Sequence, residues 1–166
     1  MGTFRTTTLA GKQAALPPEE EKALFEAGLC YLANGAPEAA YACFGRLGAG
    51  KVPVLFNRAL CCFRAGWEEE CYRLLGEAEG MLPMGRLQAE MLPARLAQQE
   101  YAGDLHLCPM PAGALQEWMR VQVLRLKAEA AFRLHLYSEV KAIAAQLQKP
   151  YRHIEELINQ IRHETE

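Results

Sequence analysis

Cysteine and histidine are the residues here with the widest chemistry, but their spacing matches no familiar reactive or metal-binding motif. The chain of 166 residues has six cysteines and four histidines. No Cys-x-x-Cys pair occurs, and the adjacent Cys61 and Cys62 would diverge by about 100° on a helix. No His-Glu-x-x-His sequence places two ligands on one helix face. We therefore expect no metal and no other cofactor, and reduced, mostly buried cysteines that act as small apolar residues.

Other nucleophiles are also sparse. Ser138 is the only serine, and it lacks the Gly-x-Ser-x-Gly turn that exposes a catalytic serine. Gly11-Lys12 lacks the upstream glycine and the following hydroxyl residue of a phosphate-binding loop. The sequence Asp104-Leu-His106-Leu-Cys108 could supply a cysteine–histidine site, although a polar loop explains it as well. We expect no catalytic residues and a protein that is not an enzyme; an enzyme site in this loop is the third hypothesis.

The composition is that of a globular protein. Hydrophobic residues make up 51% of the chain and charged residues 23%, the net charge is -2, and the pI is about 6.1. A generic nucleic-acid-binding protein would be basic, so we expect no nucleic-acid partner. No apolar export signal is visible at the N-terminus, and no stretch approaches the ~20 apolar residues of a membrane span. These features predict a soluble cytoplasmic protein without a membrane partner.

Proline and glycine divide the chain into predicted helices. Residues 1–16 lack apolar periodicity and are predicted to form a flexible N-terminal arm, while 17–166 form one helical domain. Residues 101–113 contain two glycines and two prolines, so they predict the longest and most mobile loop. The predicted helices are bracketed by Pro17-Pro18 and Gly35, by Pro37 and Gly48, and by Pro53 and Gly66, followed by helices over 67–79, 84–100 (interrupted at Pro93), 114–136, 138–148 and from 150 onward.

Part of the sequence repeats itself 31 residues later. Residues 24–47 align with 55–78 at eight identical positions, and Gly28 matches the small Ala59. A repeat of this length with helical spacing indicates stacked helical hairpins, because one unit cannot bury its apolar face alone. Stacked units form an extended face that usually binds another protein. The identical pairs are Leu24/Leu55, Phe25/Phe56, Leu29/Leu60, Cys30/Cys61, Gly35/Gly66, Glu38/Glu69, Tyr41/Tyr72 and Gly45/Gly76.

The repeated segments resemble the tetratricopeptide repeat family. In the first unit, Gly28 stands at the helix crossing, Gly35 at the turn, and Ala40 and Phe44 on the second helix. A weaker third unit has His135 where the family has its turn glycine. The resemblance implies an all-α fold, a right-handed superhelix of hairpins with about eight helices and a C-terminal capping helix. The implied units are 21–51, 52–83 and 121–149, with an irregular insertion over 84–113 and a closing helix over 150–164.

The same resemblance implies a concave peptide-binding groove, apolar at its N-terminal end and mainly basic toward the third unit. Alternatively, these apolar residues are covered by the chain's own arm or by a neighbouring subunit. The repeat subtype that clamps a C-terminal carboxylate is disfavoured, because only Asn57 of its five polar positions is present. The implied groove residues are Phe25, Leu29, Leu32, Phe56, Leu60, Phe63, Arg64, Arg125, Glu129, Phe132 and Arg133.

The leading hypothesis is therefore a non-enzymatic adaptor or chaperone-like module that binds a peptide or helix of a partner protein. The three-unit chaperones of bacterial type III secretion are similar in length and charge, which is an analogy of architecture only. The alternative is a structural self-assembly module whose groove or closing helix mediates homo-oligomerisation. The oligomeric state separates these two hypotheses.

Overall fold

The computed structural model describes residues 14–85 and 93–165, and within those ranges the protein is all-α, as predicted. Most of the predicted N-terminal arm and part of the predicted insertion lie outside the described residues. The helices are α1 (Pro18–Ala33), α2 (Pro37–Gly45), α3 (Val52–Ala65), α4 (Glu68–Gly80), α5 (Ala94–Ala102), α6 (Gln116–Arg133), α7 (Tyr137–Leu147) and α8 (Arg152–Thr165), with a 3₁₀ turn at Leu105–Leu107 between α5 and α6.

Three of the helix pairs are joined by the same turn. Just after the ends of α1, α3 and α6, a backbone amide donates to the carbonyl five residues earlier, at 2.8–2.9 Å. These bonds run from Ala36 to Tyr31, from Trp67 to Cys62 and from Leu136 to Ala131. The residue directly before each donor has a positive φ, which is 71° at Gly35, 79° at Gly66 and 58° at His135. This left-handed cap is the Schellman motif. Its recurrence shows that α1–α2, α3–α4 and α6–α7 are equivalent hairpins.

His135 adopts the left-handed conformation that its two glycine counterparts adopt without strain. This conformation costs an L-residue roughly 1–2 kcal/mol. Glycine avoids that cost but loses more chain entropy on folding, which offsets about 0.5–1 kcal/mol of the gain. We therefore expect His135→Gly to raise the free energy of unfolding by about 0.5–1 kcal/mol. Urea denaturation followed by circular dichroism measures this change. Gly66→Ala is the mirror control and should destabilise the protein; a loss of stability in His135→Gly would contradict the explanation.

The hairpins pack one after another, and α6 is the central helix. α2 packs on α3, α4 on α6, and α7 on α8, so the third hairpin directly follows the second despite the residues between them. Val123 and Leu126 of α6 belong to the main apolar cluster with α1–α4, whereas Leu124 and Ala128 belong to a second cluster with α7 and α8. Since α6 is buried on two sides, it lacks the single apolar stripe of a surface helix.

Gly28 lies at a close crossing of α1 and α2. A Cβ atom at this position would lie 2.6 Å from two ring carbons of Phe44, which is fully buried. Phe44 also packs edge to face on Phe25, with ring centroids 5.6 Å apart. The position predicted as a small-residue crossing therefore has no room for a side chain. Its repeat counterpart, Ala59, is likewise fully buried.

Two sequence predictions need correction. The 101–113 stretch is not an open loop, because α5 extends to Ala102 and Met110 is fully buried. The cysteines are all free thiols, but only Cys61, Cys62 and Cys71 are buried, whereas Cys30 and Cys108 are exposed. Cys30 lies in α1, which buries only Gly28 and Leu32, and Cys108 follows the 3₁₀ turn rather than lying in a helix. The described residues contain no helix long and apolar enough to cross a lipid bilayer.

Candidate functional site

A segment of the chain itself lies on the face where the groove was predicted. We call residues 103–111 the covering segment, and the side of the molecule formed by α1, α3 and α6 the inner face. Asn57 of α3 binds the backbone of Met110 in both directions: its Nδ2 donates to the carbonyl at 2.9 Å, and the Met110 amide donates to its Oδ1 at 2.7 Å. Arg64 links the covering segment to α1 by donating to the carbonyls of Leu107 and Leu32, at 3.0 and 2.9 Å. The inner face therefore binds a stretch of polypeptide through its backbone.

Beside the covering segment, the inner face has a cavity of about 990 Å³. We call it the N-terminal cavity. Its apolar lining comes from α1, from the end of the α2–α3 connection and the start of α3, from the residues after α4 and from the start of α6. Its rim carries charges of both signs. Glu21 and Lys51 form an exposed ion pair of 3.3 Å on this rim. The apolar lining includes Phe25, Leu29, Val54, Met81, Leu82 and Met119.

The structure divides the predicted groove residues into three groups. Phe25 and Leu29 line the N-terminal cavity and are partly exposed. Arg64 and Arg133 are held by their own chain, since Arg133 stacks on the Phe63 ring at 3.8 Å and lies 3.6 Å from Glu68. The remaining residues are buried or packed in side-chain clusters: Leu32, Phe56, Leu60, Phe63, Arg125, Glu129 and Phe132.

The prediction that Phe56 and Leu60 line an accessible groove is wrong, because both side chains are fully buried. They belong to the main apolar cluster, which also contains Met110 of the covering segment. Phe56→Ala would therefore disrupt the core rather than report on binding. The prediction that Arg125 contributes an accessible charge to the basic end of the groove is also wrong, since Arg125 is fully buried. Whether the accessible remainder of the face binds a peptide stays a prediction.

Three buried polar residues, His106, Arg125 and His153, form a network with the partly buried Glu129, and we call it the His–Glu–Arg cluster. Arg125 Nε donates to His153 Nε2 at 2.9 Å, and Arg125 Nη2 donates to the carbonyl of Gly103 at 2.6 Å. His153 Nδ1 lies 2.9 Å from Glu129 Oε1. Because Arg125 is always a donor, His153 Nε2 must accept, so the ring is neutral and its proton lies on Nδ1. The cluster thereby ties the start of the covering segment to α6 and α8.

His106 is the least satisfied member of this cluster. Its ring is fully buried and stacks on the His153 ring, with centroids 3.8 Å apart and planes 13° apart. His106 Nε2 lies 3.4 Å from Glu129 Oε1, outside hydrogen-bond geometry, so neither ring nitrogen has a hydrogen-bond partner among the described residues. A buried imidazole without partners is strongly biased toward its neutral form.

The ionisation of the cluster follows from this burial. Burial lowers the pKa of His106 and of His153 below the ordinary value of 6.5, and the nearby Arg125 charge lowers both further, against the opposing effect of Glu129. For Glu129, burial acts against the charged form, but the two histidine rings outweigh it and lower its pKa to about 2. Near neutral pH the cluster therefore holds one cation, one anion and two neutral rings.

The spacing of this cluster resembles a metal site, but its orientation does not. One donor atom each from His106, Glu129 and His153 lies within 4.8 Å of the others. Stacked imidazoles direct their in-plane lone pairs in nearly parallel planes, so the lone pairs do not converge on one ion. Arg125 also occupies Nε2 of His153 and brings a positive charge. These contacts favour a hydrogen-bonded network over a cation site.

Sequence reasoning missed His106 and His153 as interacting residues. The sequence patterns considered are histidines spaced along one helix and a cysteine–histidine site within 104–108, whereas these two histidines come from the 3₁₀ turn and from α8. Glu129 of α6 lies between them, more than twenty residues from each in sequence. The one signal available was a histidine in a loop rich in glycine and proline, and that signal does not specify a neighbour.

No protein-family model, curated protein or solved structure matches the chain. The site is therefore interpreted from its own geometry.

Proposed function

We propose that the protein is a non-catalytic binding module of tetratricopeptide-like hairpins, and that a peptide segment of a partner protein docks in the N-terminal cavity. The observation that carries the proposal is the two-way hydrogen bond between Asn57 and the Met110 backbone. Such a pair reads main-chain groups without regard to side chain, as peptide-binding faces commonly do. The covering segment therefore serves as an internal example of a bound peptide.

The N-terminal cavity supplies what such a face needs for a second peptide. Its volume of about 990 Å³ accommodates several side chains. Phe25 and Met119 offer apolar contacts, and thioether and aromatic groups adapt well to varied partners. The rim has acidic Glu21 and Glu26 beside basic Lys22 and Lys51. We infer a partner segment with one or two large apolar residues flanked by charges of mixed sign.

A pair of methionines tests this proposal. Met81 lines the cavity and is 44% exposed, whereas Met84 is 97% exposed and lies outside the lining. Peptides selected from a phage-displayed dodecapeptide library are titrated by fluorescence anisotropy against the wild type and each glutamate variant. We expect Met81→Glu to weaken binding at least ten-fold, because a charge there has to be desolvated by an apolar ligand.

Met84→Glu is the matched control and should leave affinity unchanged, because this side chain contacts solvent. Circular dichroism should show both variants folded, since neither side chain is in the core. Equal affinities of wild type and Met81→Glu would place the peptide elsewhere. A library that yields no binder would count against the proposed function itself.

Self-assembly remains the second hypothesis, and the structure narrows the surface it could use. The apolar stripe of α8, formed by Ile154, Leu157 and Ile161, is buried against the second apolar cluster. This stripe is therefore not free to contact a second subunit. Of the two surfaces that the hypothesis names, the groove and the closing helix, we infer that the inner face would be used. Light scattering after size exclusion at two protein concentrations distinguishes a monomer from a homo-oligomer.

A further inference from the structure

We propose that the His–Glu–Arg cluster is an acid-sensitive latch that holds the covering segment on the inner face, and that proton uptake by His106 and His153 releases the segment. The functional meaning of the latch rests on the proposed peptide-binding role, because release would enlarge the exposed inner face around Asn57. The physical basis is independent of any partner.

The latch is built into the contacts of the covering segment. Its first residue, Gly103, is held by Arg125, and its His106 ring is enclosed between α6 and α8. Adjacent contacts also dock α5, since Tyr151 donates to Glu100 at 3.2 Å and Arg152 donates to the Ala102 carbonyl at 3.1 Å. Opening the cluster therefore frees the stretch from Gly103 to His106, which lies between the Arg152 contact at Ala102 and the Arg64 contact at Leu107.

Protonation is incompatible with the closed geometry. A proton on His153 Nε2 would face the Arg125 Nε–H that now donates to that nitrogen at 2.9 Å. A proton on His106 would add a second positive charge to the one on Arg125. It would lie in a ring whose centroid is 3.8 Å from that of the His153 ring. The charged and titratable groups facing these rings are Arg125 and Glu129 from α6 and Asp104 from the covering segment, while Tyr151 and Glu100 face Arg125 from the α8 and α5 sides.

Glu129 is the anion that faces both rings, with its Oε1 2.9 Å from His153 Nδ1 and 3.4 Å from His106 Nε2. One carboxylate and one guanidinium leave the closed cluster neutral, so each added proton creates a buried net positive charge. In the open state both rings reach water and regain their ordinary affinity for protons.

The direction of the pH effect follows from this difference. The open state binds more protons than the closed state in the range between the lowered pKa values of the closed state and the ordinary histidine value of 6.5, so a fall in pH through this range favours opening. Well above 6.5 the rings are neutral in both states, and the closed state keeps its full stability. The opening equilibrium then shifts by up to about ten-fold per pH unit for each histidine that takes up a proton.

Hydrogen exchange of the unliganded wild-type protein tests the latch. The reporter amides are those of Leu107 and Cys108, which donate to Asp104 and Leu105 across the turn that holds His106. After correction for intrinsic exchange rates, we expect their protection to fall at least ten-fold between about pH 7.5 and about pH 5. The hairpin amides of Ala36 and Trp67 should keep their protection, because their hydrogen bonds to Tyr31 and Cys62 lie within the first two hairpins and include no residue of the cluster.

Variants assign the effect to the cluster. His106→Asn and His153→Asn should each reduce the pH dependence of protection, and His163→Asn, an exposed histidine of α8, should leave it unchanged. The wild-type experiment decides the question even if one variant fails to fold. Protection that stays constant with pH, or that falls equally at Ala36 and Trp67, would overturn the latch. Because no peptide is present, failure here leaves the proposed binding role untouched, and a failed peptide selection leaves this result untouched.

Discussion

Arg125→Ala is expected to lower the free energy of unfolding by about 3–5 kcal/mol, because it removes a fully buried cation from a hydrogen-bonded network. The change would leave the Gly103 carbonyl and His153 Nε2 without their donor, and Glu129 without a neighbouring positive charge. The cation also stacks on the Tyr151 ring at 4.3 Å, so packing is lost as well. Urea denaturation followed by circular dichroism at neutral pH measures the loss.

Arg133→Ala is the matched control on the same helix. Arg133 is partly exposed, stacks on Phe63 and pairs with Glu68 at 3.6 Å, so we expect a loss of about 1 kcal/mol or less. A loss below about 1 kcal/mol for Arg125→Ala as well would mean that the guanidinium is solvated and that the cluster does not hold the covering segment.

Gly28→Leu is expected to destabilise the protein by about 3 kcal/mol, because the new side chain has no room at the crossing of α1 and α2. Its Cβ alone would lie 2.6 Å from Cε1 and Cζ of Phe44, and the ring cannot retreat because it is fully buried. Since Phe44 packs on Phe25, the disturbance would also reach the N-terminal cavity. Thermal denaturation should show a lower Tm for this variant.

Gly76→Ala is the control for the glycine change itself. Nothing lies within 4 Å of a Cβ at Gly76, which is in the interior of α4. Alanine has the higher helix propensity, so we expect a gain of about 0.5–1 kcal/mol. An unchanged Tm for Gly28→Leu would mean that the two helices separate easily and that the repeat register is wrong.

The glycines of the repeat show that identity in the alignment does not by itself identify a packing constraint. Gly45 and Gly76 are identical in the alignment, yet neither lies near another side chain, so identity alone did not mark a packing constraint. Gly28 is matched only by alanine, but it is the position where the backbone of one helix meets a buried ring. A pattern of small residues indicates a helix crossing. The atoms on the facing helix decide how much a larger side chain there would destabilise the protein.

Helix bounds came out close to expectation wherever proline and glycine act locally. Pro18, Pro37 and Pro53 each lie in the first turn of a helix, and Gly35 and Gly66 form left-handed caps. The sequence predicts that α2 ends at Gly48, but it ends at Gly45, because a glycine that follows a helix need not be its cap. His135 kept the third turn without a glycine, since the repeated 6→1 hydrogen bond compensates for its conformation.

The sequence by itself determined the all-α class, the three hairpins and the small-residue crossing, because these depend on helical periodicity, on fixed backbone preferences of proline and glycine, and on a repeat of nearby residues. Only the tertiary structure decided what covers the inner face. Asn57 meets Met110 fifty-three residues along the chain, and His106, Glu129 and His153 come from three separate elements. Such contacts depend on where a connecting segment docks, and a segment without periodicity leaves no signal of its destination.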